Sequence, residues 1–143
     1  MLVKQVSVFL ENSKGRLYEV SHTLSVNQIN INGISLADTT DYGILRLAVQ
    51  DPDFARKVLK ENGFIVELTD VIAISIADTP GEMAKAFEKL TKEDISVEYL
   101  YAVNKIKFGT AVLVLKTNRP EDAVKALEAG GVRMLTEEEF YSL

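Results

Sequence analysis

Two short turns hold the residues best suited to chemistry. One is Asn12-Ser13-Lys14-Gly15-Arg16-Leu17; the other is Asp78-Thr79-Pro80-Gly81-Glu82-Met83. Each follows a strand-like run and opens a helix-like one. Free backbone N–H groups at a helix start, together with the helix dipole, attract a carboxylate or phosphate. Glycine at position 15 or 81 removes the Cβ that would block close approach. Asn12 or Asp78 can accept a hydrogen bond from an ammonium group. An anion site beside an amine acceptor suits a zwitterion such as a free amino acid. The plainer reading makes Asn12 and Asp78 ordinary N-caps and the glycines ordinary tight turns.

The two turns are copies of one another. Gly81 lies 66 residues after Gly15, and at the same spacing Val6, Val8 and Leu10 fall on Ile72, Ile74 and Ile76. Leu24 falls on Leu90, Ile29 on Ile95 and Gly43 on Gly109. The spacing then becomes 68, matching Pro52 to Pro120, Leu59 to Leu127 and Gly63 to Gly131, as an insertion of two residues before the last helix would produce. The chain therefore reads as two copies of one module, residues 1–69 and 70–143.

Each copy opens on period-2 alternation, the mark of a half-buried strand. After the turn comes a helical stripe at spacings of three and four: Leu17, Val20 and Leu24, or Met83, Phe87 and Leu90. A second strand is expected near Ile31 to Ala37, or Val97 to Val103, and a third from Gly43 to Val49, or Gly109 to Lys116. A second helix starts at Pro52 or Pro120, where proline suits a first turn. It buries Ala55, Val58 and Leu59, or Ala123 and Leu127, and stops at Gly63 or Gly130-Gly131. A fourth strand begins at Phe64 or Val132. The fold class is α+β: two ferredoxin-like βαββαβ modules in tandem, each an antiparallel sheet with both helices on one face.

If Ile72, Ile74, Leu113 and Leu115 face the helices, Ala73, Val112, Val114, Tyr99 and Tyr101 point the other way. That face is too apolar to be solvated, so it should be covered, by the other module or by a second chain. The first copy's equivalent (Gln5, Ser7, Arg46, Ala48) is more mixed. Thr136-Glu137-Glu138-Glu139-Phe140 carries a capping-box pattern and is expected to form a short helix.

Composition narrows the function classes. A chain of 143 residues with 47% hydrophobic and 26% charged residues is ordinary for a globular protein. Modules of about seventy residues are near the size at which a lone core is marginal. Zero cysteines exclude disulfides, thiol catalysis and cysteine metal sites, and fit a cytoplasmic protein. The opening Met1-Leu2-Val3-Lys4-Gln5 runs straight into strand-like sequence, so no secretory signal is expected. Nor is a membrane span. A net charge of −5 argues against a nucleic-acid partner. HExxH, CxxC and EF-hand patterns are absent, as are GxGxxG and GxxxxGK[ST], so neither metal nor cofactor is expected.

Other chemistries fare poorly. His22, the only histidine, is turned away from its helix's apolar stripe and reads as a surface residue. Glu137, Glu138 and Glu139 read as a solvated helix start. An RNA-recognition motif needs aromatics on its first and third strands, where this chain has Ala73, Ser75, Val112 and Val114. An acylphosphatase needs a loop arginine, and Arg16 is matched by Glu82 in the second copy. No enzymatic activity is expected.

Asp78-Thr79-Pro80-Gly81-Glu82-Met83 resembles the D-x-P-G-x-L/M signature that opens an ACT domain. Gln28-Ile29-Asn30-Ile31-Asn32 and Asp94-Ile95-Ser96-Val97 resemble its lead into the second strand. The βαββαβ order covers nearly the whole chain. The resemblance implies a tandem ACT protein, from a family of modules that bind free amino acids and regulate metabolic enzymes. It further implies ligands at the junction of modules, held by the helix-start loop of one and the residues leading into the second strand of its neighbour. Carried over by position, these are Asn12 to Leu17 with Asn30, and Asp78 to Met83 with Ser96. Lys14 stands where the signature has proline, and Ser96 where the first copy has Asn30, so the two sites should be unequal, with Asn12 and Asn30 the stronger pair.

The expected protein binds a free L-amino acid, forms a homodimer and regulates a metabolic enzyme in trans. A few charge-assisted hydrogen bonds of about 1.5–3 kcal/mol each, less the cost of immobilising the ligand, correspond to roughly millimolar to micromolar affinity. The alternative is an interaction module with vestigial loops that docks through its apolar sheet face.

Overall fold

Val6, Val8 and Leu10 alternate along β1 (Val3–Glu11), and all three are buried. The structure, a computed structural model, describes residues 1–11, 13–38, 41–103 and 109–143. After β1 come α1 (Arg16–Val26), β2 (Ile31–Asp38), β3 (Tyr42–Val49), α2 (Pro52–Glu61) and β4 (Ile65–Ala77). Then follow α3 (Glu82–Lys92), β5 (Val97–Ala102), β6 (Thr110–Thr117), α4 (Pro120–Ala129), β7 (Arg133–Met134) and α5 (Glu137–Tyr141). The chain divides into two compact units, Lys4–Thr69 and Asp70–Leu143, the latter with Met1–Val3.

Within Lys4–Thr69 the strands lie in the order β2-β3-β1-β4. Val6 pairs with Leu47 and Val8 with Leu45, antiparallel, while β2 pairs with β3 on the outer edge. The core joins Val6, Val8 and Leu10 to Val20 and Leu24 of α1 and to Ala55, Val58 and Leu59 of α2. Within the second unit the order is β7-β4-β6-β5, with Ile72 opposite Leu115 and Ile74 opposite Leu113. Its core joins these to Ala86 and Leu90 of α3 and to Ala123, Val124 and Leu127 of α4. Each unit thus has the βαββαβ order, with its helices packed on one sheet face.

One strand was not expected to be continuous. The fourth strand of the first copy and the first strand of the second are a single 13-residue strand, β4. The run from Ile65 to Ala77 contains neither glycine, proline nor asparagine, and β-branched residues dominate it, so nothing breaks the extended backbone.

The four longer helices end alike. After α2, Gly63 takes φ 85° and the Phe64 N–H reaches back to the Leu59 carbonyl at 3.1 Å. After α4, Gly131 takes φ 78° and Val132 reaches Leu127 at 2.9 Å. Gln28 and Asp94 do the same after α1 and α3, at φ 59° and 57°, without being glycine. Their successors Ile29 and Ile95 bond to Leu24 and Leu90. This is the left-handed helix stop that satisfies terminal carbonyls.

The sheet face away from the helices in the second unit is largely apolar, and its residues are mostly buried. Ala73, Val112, Val114 and Tyr101 are buried, Val114 completely, and Tyr99 is half-buried. The tail contributes three buried residues that lie outside the helix-side core: Leu135, Phe140 and Leu143. Leu135 also bonds through its N–H to the Ala73 carbonyl at 2.9 Å. The expected capping box is present: Thr136 accepts from the Glu139 N–H while Glu139 accepts from the Thr136 N–H. In the first unit the corresponding face holds a buried polar chain. Gln5 Nε2 donates to Ser7 Oγ at 3.0 Å, and the Ser7 hydroxyl meets that of Thr69 at 2.9 Å.

Candidate functional site

Both turns place glycine, not Asn or Asp, at the helix N-cap. Gly15 has φ 89° and Gly81 has φ 92°, in the left-handed region that favours glycine. Among the described residues no side chain caps either α1 or α3. By contrast α2 is capped by Asp51, whose carboxylate accepts from the Phe54 N–H at 3.0 Å. The N-cap role open to Asp78 is therefore not taken; its own N–H donates to the Gly109 carbonyl at 2.8 Å. Asn12 lies outside the described residues.

The glycines leave room. A Cβ added at either position would meet nothing within 4 Å. Ser13, Lys14, Gly15 and Leu17 are exposed around the first turn, and Asp78, Thr79, Pro80, Gly81 and Met83 around the second. Leu17 and Met83 were expected on the apolar stripes, yet they are 44% and 41% exposed. Each first turn thus presents an apolar side chain beside a helix start without a side-chain cap among the described residues, although the Arg16 and Glu82 N–H groups reach the Ser13 and Thr79 carbonyls at 3.5 and 3.4 Å. The first N–H groups of a helix have no intrahelical partner, so an uncapped start keeps them open to an anion.

The charged members of the two turns are engaged locally. Arg16 lies over the Phe64 ring, 4.5 Å from its centroid, and its Nη1 meets the Glu19 carboxylate at 2.6 Å. Its Nε is buried without a partner among the described residues. Glu82 pairs with Lys85 at 2.6 Å. That hydrogen bond, and then the Glu82 charge, raise the Lys85 pKa above its ordinary value. Neither Arg16 nor Glu82 is a free charge waiting for ligand.

The residues leading into β2 and β5 differ in their hydrogen bonding. Asn30 is exposed, and its amide Nδ2 donates to the Asn32 Oδ1 at 2.9 Å. Asn32 is only 2% exposed, and its own Nδ2 has no partner among the described residues. Ser96 is exposed as well, but its backbone N–H is taken by the Asn118 Oδ1 at 3.0 Å. A shallow hollow of about 430 Å³ beside Asn30 is lined by Ser21, Ser25, Gln28, Ile29, Asn30 and Ile31.

Within one unit these pieces are not brought together. Residues 13–17 stand at the start of α1 and Asn30 beyond its end, and eleven helical residues span about 16 Å. The same separation by α3 holds for Asp78 to Met83 and Ser96. A ligand touching both kinds of residue needs a second module.

The family model described as an ACT domain pair matches residues 1–143. The chain belongs to the ACT domain pair family. No curated protein matches it. Among solved structures, this ACT pair is similar to protein BT0572 from Bacteroides thetaiotaomicron, at 38% identity and TM-score 0.92, covering 100% of this chain and 98% of that one. It is also similar to the ligand-free regulatory subunit of aspartate kinase from Thermus thermophilus, at 15% identity and TM-score 0.59, covering 89% and 91%. The corresponding subunit from Thermus flavus matches at 17% identity and TM-score 0.60, covering 90% and 92%. At those identities the two kinase subunits establish the fold alone.

Reading the sequence of this ACT pair missed Asn32, Ser21, Ser25 and the Arg16–Phe64 stack. Asn32 carried a signal, since a polar residue two positions after Asn30 shares its side of a strand. The stack carried none, because its partners are 48 residues apart. His22 is exposed, as expected, and stacks on Tyr18 with centroids 5.5 Å apart. Among the described residues no group of three acidic, histidine or cysteine side chains could hold a metal, and no helix is long and apolar enough to cross a membrane.

Proposed function

We propose that this ACT pair is a cytoplasmic, non-catalytic sensor of a free L-amino acid. The observation that carries the reading is the pair of uncapped helix starts, each with a left-handed glycine and open space above it. A side-chain cap would have satisfied those N–H groups at once; leaving them open favours an external carboxylate. The exposed Asn30 amide and Ser96 hydroxyl are the candidate acceptors for the ligand ammonium. Asn12 and Asp78 belong to the same candidate set, with Ser13 to Leu17 and Thr79 to Met83.

A ligand held by the helix start of one module and Asn30 or Ser96 of another favours whichever arrangement of modules closes around it. That is linkage, and it needs no chemistry. The second module comes from the same chain or from a second copy, and a metabolic enzyme acting as a separate chain would read the change. Docking through an apolar sheet face is less well supported, because Ala73, Val112 and Val114 are already buried in the second unit.

Calorimetric titration of Asn12→Ala and Asp78→Ala tests the assignment of sites. With the first-copy residues forming the stronger amine-recognition pair, Asn12→Ala weakens affinity more, by about tenfold for a lost hydrogen bond to a charged group. Equal losses would count against that ranking, and no loss in either against the turns altogether.

A further inference from the structure

We infer that Asn32 is a positioning residue, which holds the Asn30 amide with its oxygen turned outward as the acceptor for a ligand ammonium. The inference rests on the amino-acid-binding reading and adds to it a buried residue that touches no ligand itself.

The geometry begins with a bulge. Ile31 pairs with Val49 and Gly33 with Ala48, so two residues of β2 advance while β3 advances by one. Asn32 is the extra residue, without a partner across the ladder. A bulge re-aims a side chain in this way. In a straight strand, positions 30 and 32 would stand about 7 Å apart along the chain. The two side-chain amides bridge that interval and meet at 2.9 Å.

Stability does not account for Asn32. It is 2% exposed, and its Nδ2 has no partner among the described residues. A buried donor left without a hydrogen bond is destabilising, and an apolar residue of the same size would avoid that cost. What Asn32 does achieve is an acceptor aimed at Asn30.

The consequence lies in the chemistry of an amide, which has a donor end and an acceptor end. A free exposed asparagine presents either one. Once one Nδ2 hydrogen is committed to Asn32, the NH2 end is anchored there with one hydrogen to spare, and the Oδ1 of Asn30 is the acceptor it presents to a ligand. An ammonium has three donors and no acceptor, so it matches that end alone. The second copy lacks the device. Glu98 occupies the position equivalent to Asn32 and is exposed, and Ser96 stands in place of Asn30. Selection for the ammonium is therefore a property of the first copy.

The test compares the full-length chain with Asn32→Leu, an apolar isostere, and with Asn32→Asp, which at pH 8 can only accept. Each is titrated with the twenty L-amino acids and, for any that binds, with the carboxylic acid lacking its ammonium. Side-chain amide NMR of the ligand-free proteins reports the Asn30 hydrogen bond directly. In the parent chain the amino acid outbinds its deaminated acid by about tenfold or more, as a lost hydrogen bond to a charged group implies. Asn32→Leu brings that ratio towards one and shifts the Asn30 amide protons to free values, while Asn32→Asp keeps both. A merely structural role for Asn32 would weaken the two ligands equally. An unchanged ratio in Asn32→Leu, an unchanged Asn30 signal, or loss of the ratio in Asn32→Asp overturns the proposal. If no amino acid binds the parent chain, the sensing reading fails and this one with it; an intact Asn30–Asn32 amide signal would then locate the failure in that reading.

Discussion

Gly15 and Gly81 combine two demands, a left-handed backbone and an unobstructed approach to the helix start. The space around Gly81 is open, so a methyl group there meets no neighbour and the cost of Gly81→Ala is conformational. We expect a loss of about 1 kcal/mol in chemical denaturation, from left-handed strain partly offset by reduced freedom of the unfolded chain. The opposite change suits Gln28, which holds φ 59° without being glycine. Gln28→Gly should stabilise by about 0.5–1 kcal/mol on the same grounds, and a lower denaturation midpoint would contradict it. Both glycines were legible because their turns repeat. Left-handed Gln28 and Asp94 were not, since neither residue type announces that conformation.

Among the elements, α5 makes the clearest pH prediction. A hydrogen bond from the Thr136 N–H holds the Glu139 carboxyl below its ordinary value of 4.5, and the Arg133 charge acts in the same direction. A depressed carboxylate stabilises the fold above its unfolded pKa, and that contribution is lost as pH falls through the folded value. The cap should therefore persist above pH 4.5 and release progressively below it, read as a shift of the Thr136 amide resonance. Thr136→Ala should cost about 1 kcal/mol by removing the other half of the box. A variant as stable as the parent would show that buried Phe140, not the cap, holds the tail. Spacing and caps made most elements legible: prolines at 52 and 120, glycines at 63 and 131, alternation in β1 and along Ile72, Ile74 and Ile76 of β4. What spacing cannot reveal is β4, where two expected strands merge for want of a breaker, or the bulge at Asn32, which arises from pairing with β3.

For the molecule as a whole, the repeat in sequence is a repeat in structure, with a separate helix-side core in each unit. Leu24 and Leu90 hold equivalent places, both essentially unexposed. Truncating either to alanine should cost about 2–5 kcal/mol, the spread reflecting how far each core collapses around the gap. A cost below 1 kcal/mol at either position would mean that its core is not packed as described. The family and the fold were legible because glycines, turns and apolar periods recur in the same order. The binding site was legible only in parts, because a helix of about 16 Å separates its two halves within each module.

The central claim is that open helix starts bind the carboxylate of a free amino acid. Thermal unfolding of the intact chain in the presence of each of the twenty L-amino acids tests it most directly. Binding to the folded state alone contributes about 2.7 kcal/mol when the ligand is at one hundred times its dissociation constant, a shift of several degrees for a chain of this size. The account predicts such a shift for one amino acid or a small related set, reduced in Gly81→Ala or Asn30→Ala. No shift with any of them at about 10 mM, well above the affinity range expected of such a site, would contradict it.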